Sequence, residues 1–345
     1  MTLHPVTRTV CAAAVASFAM VAASAVDAQS VEQFYKGKTI NLYIGYGPGG
    51  GYDFFGRLVA RHLGRHIPGQ PNVIPQNMPG AGSLRAANYV YNVAPKDGTA
   101  LGIVTQTVSL EEALGTQGVQ YKADGFNWIG RVTSNVDMLL TWHTSKTKTI
   151  ADAKKIETPV AGTGAGSPAE FMPKVLNNIV GTKFKVITGY TGSTAGMLAM
   201  EKGEVDGATT SCNTLKTSHQ DWLKNKSINL LVQLTPQRHK ELQELPDMVE
   251  LGTTPEQKQI LSLYASGAAV GRSIFASPGI PAERVKALRA AFDAMIKDPV
   301  FLADVEKTKA EFDPMSGEQL QKVIEDAANI PQATREKAKA ARGPE

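Results

Sequence analysis

Cysteine is almost absent from this chain of 345 residues: Cys11 and Cys212 are the only two. Cys11 falls in the N-terminal apolar run, and a lone Cys212 cannot close an internal disulfide, so a disulfide scaffold is excluded. Charge of one sign is also scarce. The formal net charge is +4 and the basic residues are scattered, so there is no stripe of the kind that binds nucleic acid. Beyond the N-terminal run no stretch approaches the roughly 18 to 20 apolar residues of a membrane span. No G-x-S-x-G marks a nucleophile elbow. His62 and His66 have metal-ligand spacing, but no H-E-x-x-H glutamate accompanies them and Arg61 and Arg65 flank them. They read as a solvated basic face, and neither a metal nor a catalytic residue is expected.

What the chain has is an export signal, strand and helix patterns, and glycine. Arg8 precedes an apolar run from Val10 to Val26 that ends in Val26-Asp27-Ala28. This is the pattern of a signal peptide over residues 1–28, cut after Ala28, which predicts a soluble periplasmic protein. The remainder fits two domains. Strand-like runs alternate with runs of helical period, predicting an α/β protein with mostly parallel sheets. The expected strands are 39–46, 72–76, 100–105, 127–132, 138–142, 158–161, 183–188, 205–210, 228–234 and 268–276. The C-terminal "REKAKAARGPE" is charged and apolar-poor, and is expected to fray.

Four glycine-rich turns stand out: "IGYGPGGGYD" (Ile44 to Asp53), "MPGAGS" (Met78 to Ser83), "GTGAGSP" (Gly162 to Pro168) and "GYTGSTAG" (Gly189 to Gly196). At least three follow a strand and open a helix. Such junctions present unpaired backbone N–H groups and the positive end of the helix dipole to an anion. The first turn fits G-x-G-x-x-G, but a dinucleotide site wants a carboxylate about 20 residues on. The second strand offers Val73-Ile74-Pro75-Gln76-Asn77 instead. No Gly-Lys-Ser or Gly-Lys-Thr follows the turn, so a P-loop is excluded and no cofactor is expected. Glycines at such turns often serve only to permit positive φ. Here the loops also carry the hydroxyls of Tyr46, Tyr52, Ser167, Thr191, Ser193 and Thr194, suited to a carboxylate. None of the segments 45–53, 162–168 and 189–196 contains Lys or Arg, so amides and hydroxyls are expected to do the binding.

The runs "GYGPGGGYDFFGRLVARHLGRHIPG", "VIPQNMPGAGSLRAANYVYNVAPKDGTALGIV", "GTGAGSPAEF", "GSTAGMLAMEKGEVDGA" and "ASPGIPAERVKALRAAFDAMIKDP" occur in order. Together they resemble the periplasmic receptors of tripartite tricarboxylate transporters, also called Bug receptors. The resemblance implies a two-lobed, type II-like Venus-flytrap fold with two chain crossovers. Lobe one would hold 29–136 and 236–345, and lobe two 137–235. It further implies a small organic carboxylate as ligand and the membrane subunits of such a transporter as partner. The ligand would be held by backbone amides and ordered water from Gly47, Gly49, Gly50, Gly51, Tyr52 and Asp53, facing Gly164, Ala165, Gly166 and Ser167 with Thr191, Gly192, Ser193, Thr194 and Ala195. Tyr52 stands where the family more often has Thr or Ser, which is expected to narrow or reshape the pocket.

Other candidates follow from position. Tyr46 closes the first expected strand, Gln106 lies just past the third, Ser134 and Asn135 lie where the chain would first change lobes, and Thr210, Ser211 and Asn213 end a further strand. Asp53 either caps the helix after it or meets a ligand donor. A monomer is expected. A secreted hydrolase using Ser167 or Ser193 as nucleophile, or a sensory receptor, would share the same cleft.

Overall fold

The computed structural model describes residues 29–328 and 330–343; the expected export signal lies outside the described residues. Two sheets organise the chain. The first, in the order β11-β4-β10-β3-β1-β2, contains β1 (Thr39–Ile44), β2 (Asn72–Asn77), β3 (Ala100–Ile103), β4 (Asn127–Arg131), β10 (Ser273–Ala276) and β11 (Met315–Ser316). The second, in the order β7-β6-β8-β5-β9, contains β5 (Asp137–Trp142), β6 (Thr158–Gly162), β7 (Phe184–Thr188), β8 (Gly207–Ser211) and β9 (Ile228–Gln233).

Alternation along the strands explains why each sheet is covered on both faces. In β1, Ile40, Leu42 and Ile44 join a core with Phe55, Leu58 and Phe292, while Tyr43 points to an opposite core with Trp128 and Phe275. In β5, Leu139 packs with Val160 and Phe171, whereas Met138 and Leu140 pack with Ala161 and Met197.

The sheets are mixed, which corrects the expectation of mostly parallel pairing. β1 runs parallel to β2 and β3, and β6 to β7 and β8. β10 is antiparallel to β3 and β4, β11 to β4, and β5 to β8 and β9. The reason is the passage between sheets. β5 and β10 are each the first strand after a change of sheet, so they start at the interlobe edge where the parallel strands end. The two crossing segments lie side by side: Val132 N donates to Arg272 O at 3.0 Å, Arg272 N to Thr133 O at 2.9 Å and Asn135 N to Ala268 O at 3.0 Å. Gly271 has φ +55°, and a Cβ there would sit 2.1 Å from Thr133 O. Only glycine lets these two backbones approach so closely.

Several local expectations change. The C-terminal segment is helical as far as Arg342: the helix Gln332–Arg342 buries Ala338, Ala341 and Arg342. With the helix Pro255–Ala265 it packs on the second sheet's core, although 236–345 was expected in lobe one. Tyr264 Oη donates to Ala338 O at 2.8 Å, and Arg342 Nη1 reaches Glu111 Oε2 at 2.9 Å. The expected strand at 268–276 shortens to β10 because 266–269 forms a 3-10 turn. The helix Pro299–Thr308, capped by Asp298, covers the supposed basic face. His62 is buried and meets Asp304 at 2.8 Å, and His66 meets Asp298 at 2.9 Å.

Candidate interlobe ligand site

The apolar strand β1 stops at Gly45, and the chain turns through Tyr46 to Gly50 into the helix Gly51–Leu63. Gly50 caps this helix without a side chain. Its first-turn N–H groups have no intrahelical acceptor, and Gly50, Gly51 and Tyr52 at this positive end of the helix dipole line the cleft. Tyr46 and Tyr52 stack at 4.7 Å, with planes 24° apart. Tyr46 Oη donates to Gly82 O at 3.3 Å, and Tyr52 Oη accepts from Gln106 N at 2.8 Å. Burial pushes the Tyr52 phenol up to about 12, so it stays protonated.

The second lobe supplies the opposite wall from the ends of β6 and β8 and from the turns that open two helices. Thr163, Ser167, Pro168, Ala169, Gly192 and Ser193 line the cleft with Thr209, Thr210, Ser211 and Thr214. The helix Pro168–Val180 satisfies much of its own N-terminus, in contrast to the open-amide picture. Pro168 has no N–H, and Ser167 Oγ accepts from Ala169 N at 3.2 Å and from Thr163 Oγ1 at 2.6 Å. The helix Ser193–Glu201 starts at Gly192 without a side-chain cap.

Of the expected residues, Tyr46, Gly47, Gly50, Gly51, Tyr52, Ser167, Gly192 and Ser193 face one cavity. The others stand around it. Asp53 points back into its own lobe, where its carboxylate accepts from Gly49 N at 2.9 Å, Arg57 Nε at 2.9 Å and Asn77 Nδ2 at 2.8 Å. Burial alone would raise its pKa, but these donors outweigh it and hold the group below the usual range. Gly164 and Gly166 pack on Ala81, Gly82 and Leu84 of the other lobe, and Ala165 O accepts from Arg342. Thr191 O accepts from Gly47 N at 2.9 Å across the cleft. Thr194 lies over Gly49, and Ala195 is half-buried one residue further along the same helix. Ser134 abuts Gly271 in the crossing segments. Gln106 bonds Asn135 and donates to Asp137 Oδ2 at 3.3 Å. Of the weaker candidates, Thr210 and Ser211 face the cavity, while Asn213 Oδ1 accepts from Glu311 N at 2.8 Å.

Two charged residues in the wall were not expected. Arg272, immediately before β10, is only 3% exposed and stacks its guanidinium 3.8 Å above the centre of the Tyr52 ring. Asp137, the first residue of β5, lines the same cavity. Burial pushes the Asp137 carboxyl up, opposed by Arg272 and by a hydrogen bond from Asn135. The glycine turns themselves carry no Lys or Arg, and these two charges enter the wall from outside them. Arg272 lies far in sequence from every glycine turn and reaches the cleft through the second crossing.

The lobes are in contact around this cavity. Gly82 N donates to Thr163 O at 3.0 Å, Gly166 N to Ala81 O at 3.3 Å and Thr107 Oγ1 to Gly166 O at 3.0 Å. About 50 Å³ stays open to the centre of a water-sized sphere. That is room for about three to five waters or an equally small solute. Buried wall groups are left without partners: Arg272 Nε and Nη1, Thr209 Oγ1 and Thr210 Oγ1. Buried polar groups are normally bonded, so such a cluster marks a place where a polar ligand or water completes the set.

Comparison with known structures places this architecture. The periplasmic binding protein BugD aligns at 19% identity with TM-score 0.70, covering 89% of this chain and 98% of that one. The R. palustris protein Rpa4515, solved with adipate, aligns at 20% identity with TM-score 0.68, covering 89% and 97%. MatC from Rhodopseudomonas palustris, solved with bound malate, aligns at 18% identity with TM-score 0.67, covering 88% and 99%. At these identities the likeness shows the two-lobed periplasmic-binding-protein fold. The search of curated proteins finds no match. The family model described as the tripartite tricarboxylate transporter family receptor matches residues 56–338. By that match over most of its length, the chain belongs to the tripartite tricarboxylate transporter receptor family.

Proposed function

We propose that this receptor closes its lobes on a small organic carboxylate and delivers it, chemically unchanged, to the membrane subunits of a tripartite transporter. It does so in the periplasm and as a monomer. The observation that carries the reading is the convergence of both lobes on one buried cavity whose polar groups lack protein partners. The adipate and malate in the related structures support a carboxylate as the ligand class. The residues we assign to the site are those of the first helix turn, Gly50 to Tyr52, together with Ser167, Gly192 and Ser193. The residues behind them set the positions of these groups.

Magnitudes agree. Hydrogen bonds to a charged group contribute about 1.5–3 kcal/mol each. Four contribute about 6–12 kcal/mol before ordering costs, against about 8 kcal/mol for micromolar affinity. The hydrolase alternative has little support: Ser167 Oγ is engaged as a helix cap, and no histidine is among the cavity-lining residues to activate it. The test is a thermal-shift panel of organic acids, followed by calorimetry and mass analysis of the recovered solute. A saturable shift with intact solute is expected. Turnover of the solute, or no shift with any acid, refutes the proposal.

A further inference from the structure

Arg272 and Asp137 face the cavity for one topological reason: each sits where the chain enters a sheet from the cleft. Arg272 keeps two donors, Nε and Nη1, without partners although the residue is buried. Stacking on Tyr52 favours the cation but fills neither donor, because the ring face offers no lone pair. Nε and Nη1 lie on different edges of the guanidinium, so a ligand carboxylate takes a charge-assisted bond from one of them while a hydroxyl or water fills the other. Asp137 feels the Arg272 charge, which opposes the upward push of burial on its carboxyl, but the two make no direct ion pair. The geometric partner of Asp137 is Gln106 at 3.3 Å, and a carboxylate has about four acceptor positions to fill. The wall is therefore bipolar, with the Thr209 and Thr210 hydroxyls as neutral groups in the same cavity.

We infer that the ligand is a small bipolar acid, with its carboxylate docked on Arg272 and a hydroxyl or ammonium donor of the same molecule docked on Asp137. This rests on the receptor reading above and specifies its ligand class. A second carboxylate beside Asp137 would put two buried acid groups together, and holding both ionised there is costly. Dicarboxylates and tricarboxylates are accordingly disfavoured. The cavity, with room for a few waters, favours a short acid.

The experiment is calorimetry at pH 7.5 on the wild-type receptor with propionate, lactate, alanine, succinate, malate and citrate. It is repeated on Arg272→Gln and Asp137→Asn, with folding followed by circular dichroism. Lactate or alanine should bind at least about tenfold tighter than propionate and succinate. Whichever of the two binds tighter identifies the donor as hydroxyl or ammonium. Arg272→Gln should weaken that acid about 30-fold or more, since it removes a charge-assisted bond. Asp137→Asn should bring it within about threefold of propionate. Wild-type preference for succinate, malate or citrate overturns the inference and leaves the receptor reading standing, as does wild-type affinity in a folded Arg272→Gln. If the wild type binds none of the six, the inference falls, and the thermal-shift panel alone decides the receptor reading. The wild-type preference order decides the matter even if a variant does not fold.

Discussion

Gly82 lies in the turn after β2, in left-handed backbone with φ +63°. Its amide donates to Thr163 O at 3.0 Å in the other lobe. A Cβ at this position would lie 2.4 Å from Ser167 N and 2.6 Å from Gly164 O, both backbone atoms across the cleft. Gly82→Ala thus has two separable effects. The left-handed φ costs alanine about 1–2 kcal/mol whether the lobes touch or not. The clash exists only when they touch. Relieving it means parting the lobes enough to lose Gly82 N–Thr163 O and Gly166 N–Ala81 O, at about 0.5–1.5 kcal/mol each. Closure then weakens by about 1–3 kcal/mol, which raises Kd about 5- to 150-fold. Gly181→Ala is the control: Gly181 is also left-handed, at φ +79°, but nothing lies within 4 Å of its Cβ position. Calorimetry with the tightest-binding acid of the thermal-shift panel, together with small-angle scattering to follow lobe separation, reads the two effects apart. Both variants should lose similar thermal stability, and only Gly82→Ala should lose affinity and compactness with ligand. If Gly82→Ala binds like Gly181→Ala, contact between these turns is not part of ligand capture.

Three further expectations follow from buried groups. Arg342 Nη1 meets Glu111 Oε2 and Thr116 Oγ1, each at 2.9 Å, with both charged side chains almost fully buried. Arg342→Ala should cost about 3–5 kcal/mol in urea unfolding, and a change below about 0.5 kcal/mol would show that the C-terminal helix is held by its apolar face alone. The Asp53 carboxyl has a depressed folded-state pKa, so its contribution is complete above the unfolded value of about 3.9 and is lost as pH falls through the lower folded value. The urea midpoint of the wild type should therefore drop between about pH 4 and pH 2 more than that of Asp53→Asn, and parallel curves would contradict it. Burial, followed by the nearby Glu311 carboxylate, pushes the Cys212 thiol up to about 12. Cys212 in the folded protein should therefore be inert to a thiol reagent at pH 8 and react after denaturation; rapid labelling of Cys212 in the native form would place the thiol at the surface.

Local rules served well where local physics decides structure. β1, β2 and β6 lie within a residue or two of their expected bounds; β1 and β6 are largely apolar runs ending at glycine. The turns after β1 and β6 line one cavity, whereas the turn after β2 packs on Gly164 and Gly166 beside it. Asp298-Pro299 is an N-cap followed by proline at the first helical position, a signal that could have located the helix Pro299–Thr308. The 3-10 turn before β10 was less legible. "SGAAVGRSIFA" reads as one apolar strand, and only the approach of 268–272 to 132–135 breaks it at Gly271.

The charged pair was illegible for a different reason. Rules that place ligands at the carboxyl ends of parallel strands look at residues following a strand. Arg272 and Asp137 precede β10 and β5, and they reach the cleft only because those strands enter their sheets from it. In a chain that changes lobes, the residue opening an entering strand occupies the same edge as the turn closing a parallel one. The uncharged turns can bring an anion close to the backbone, but they do not determine what else the anion carries. That selection falls to the two entering residues, since they alone among the cavity-lining residues bear formal charge.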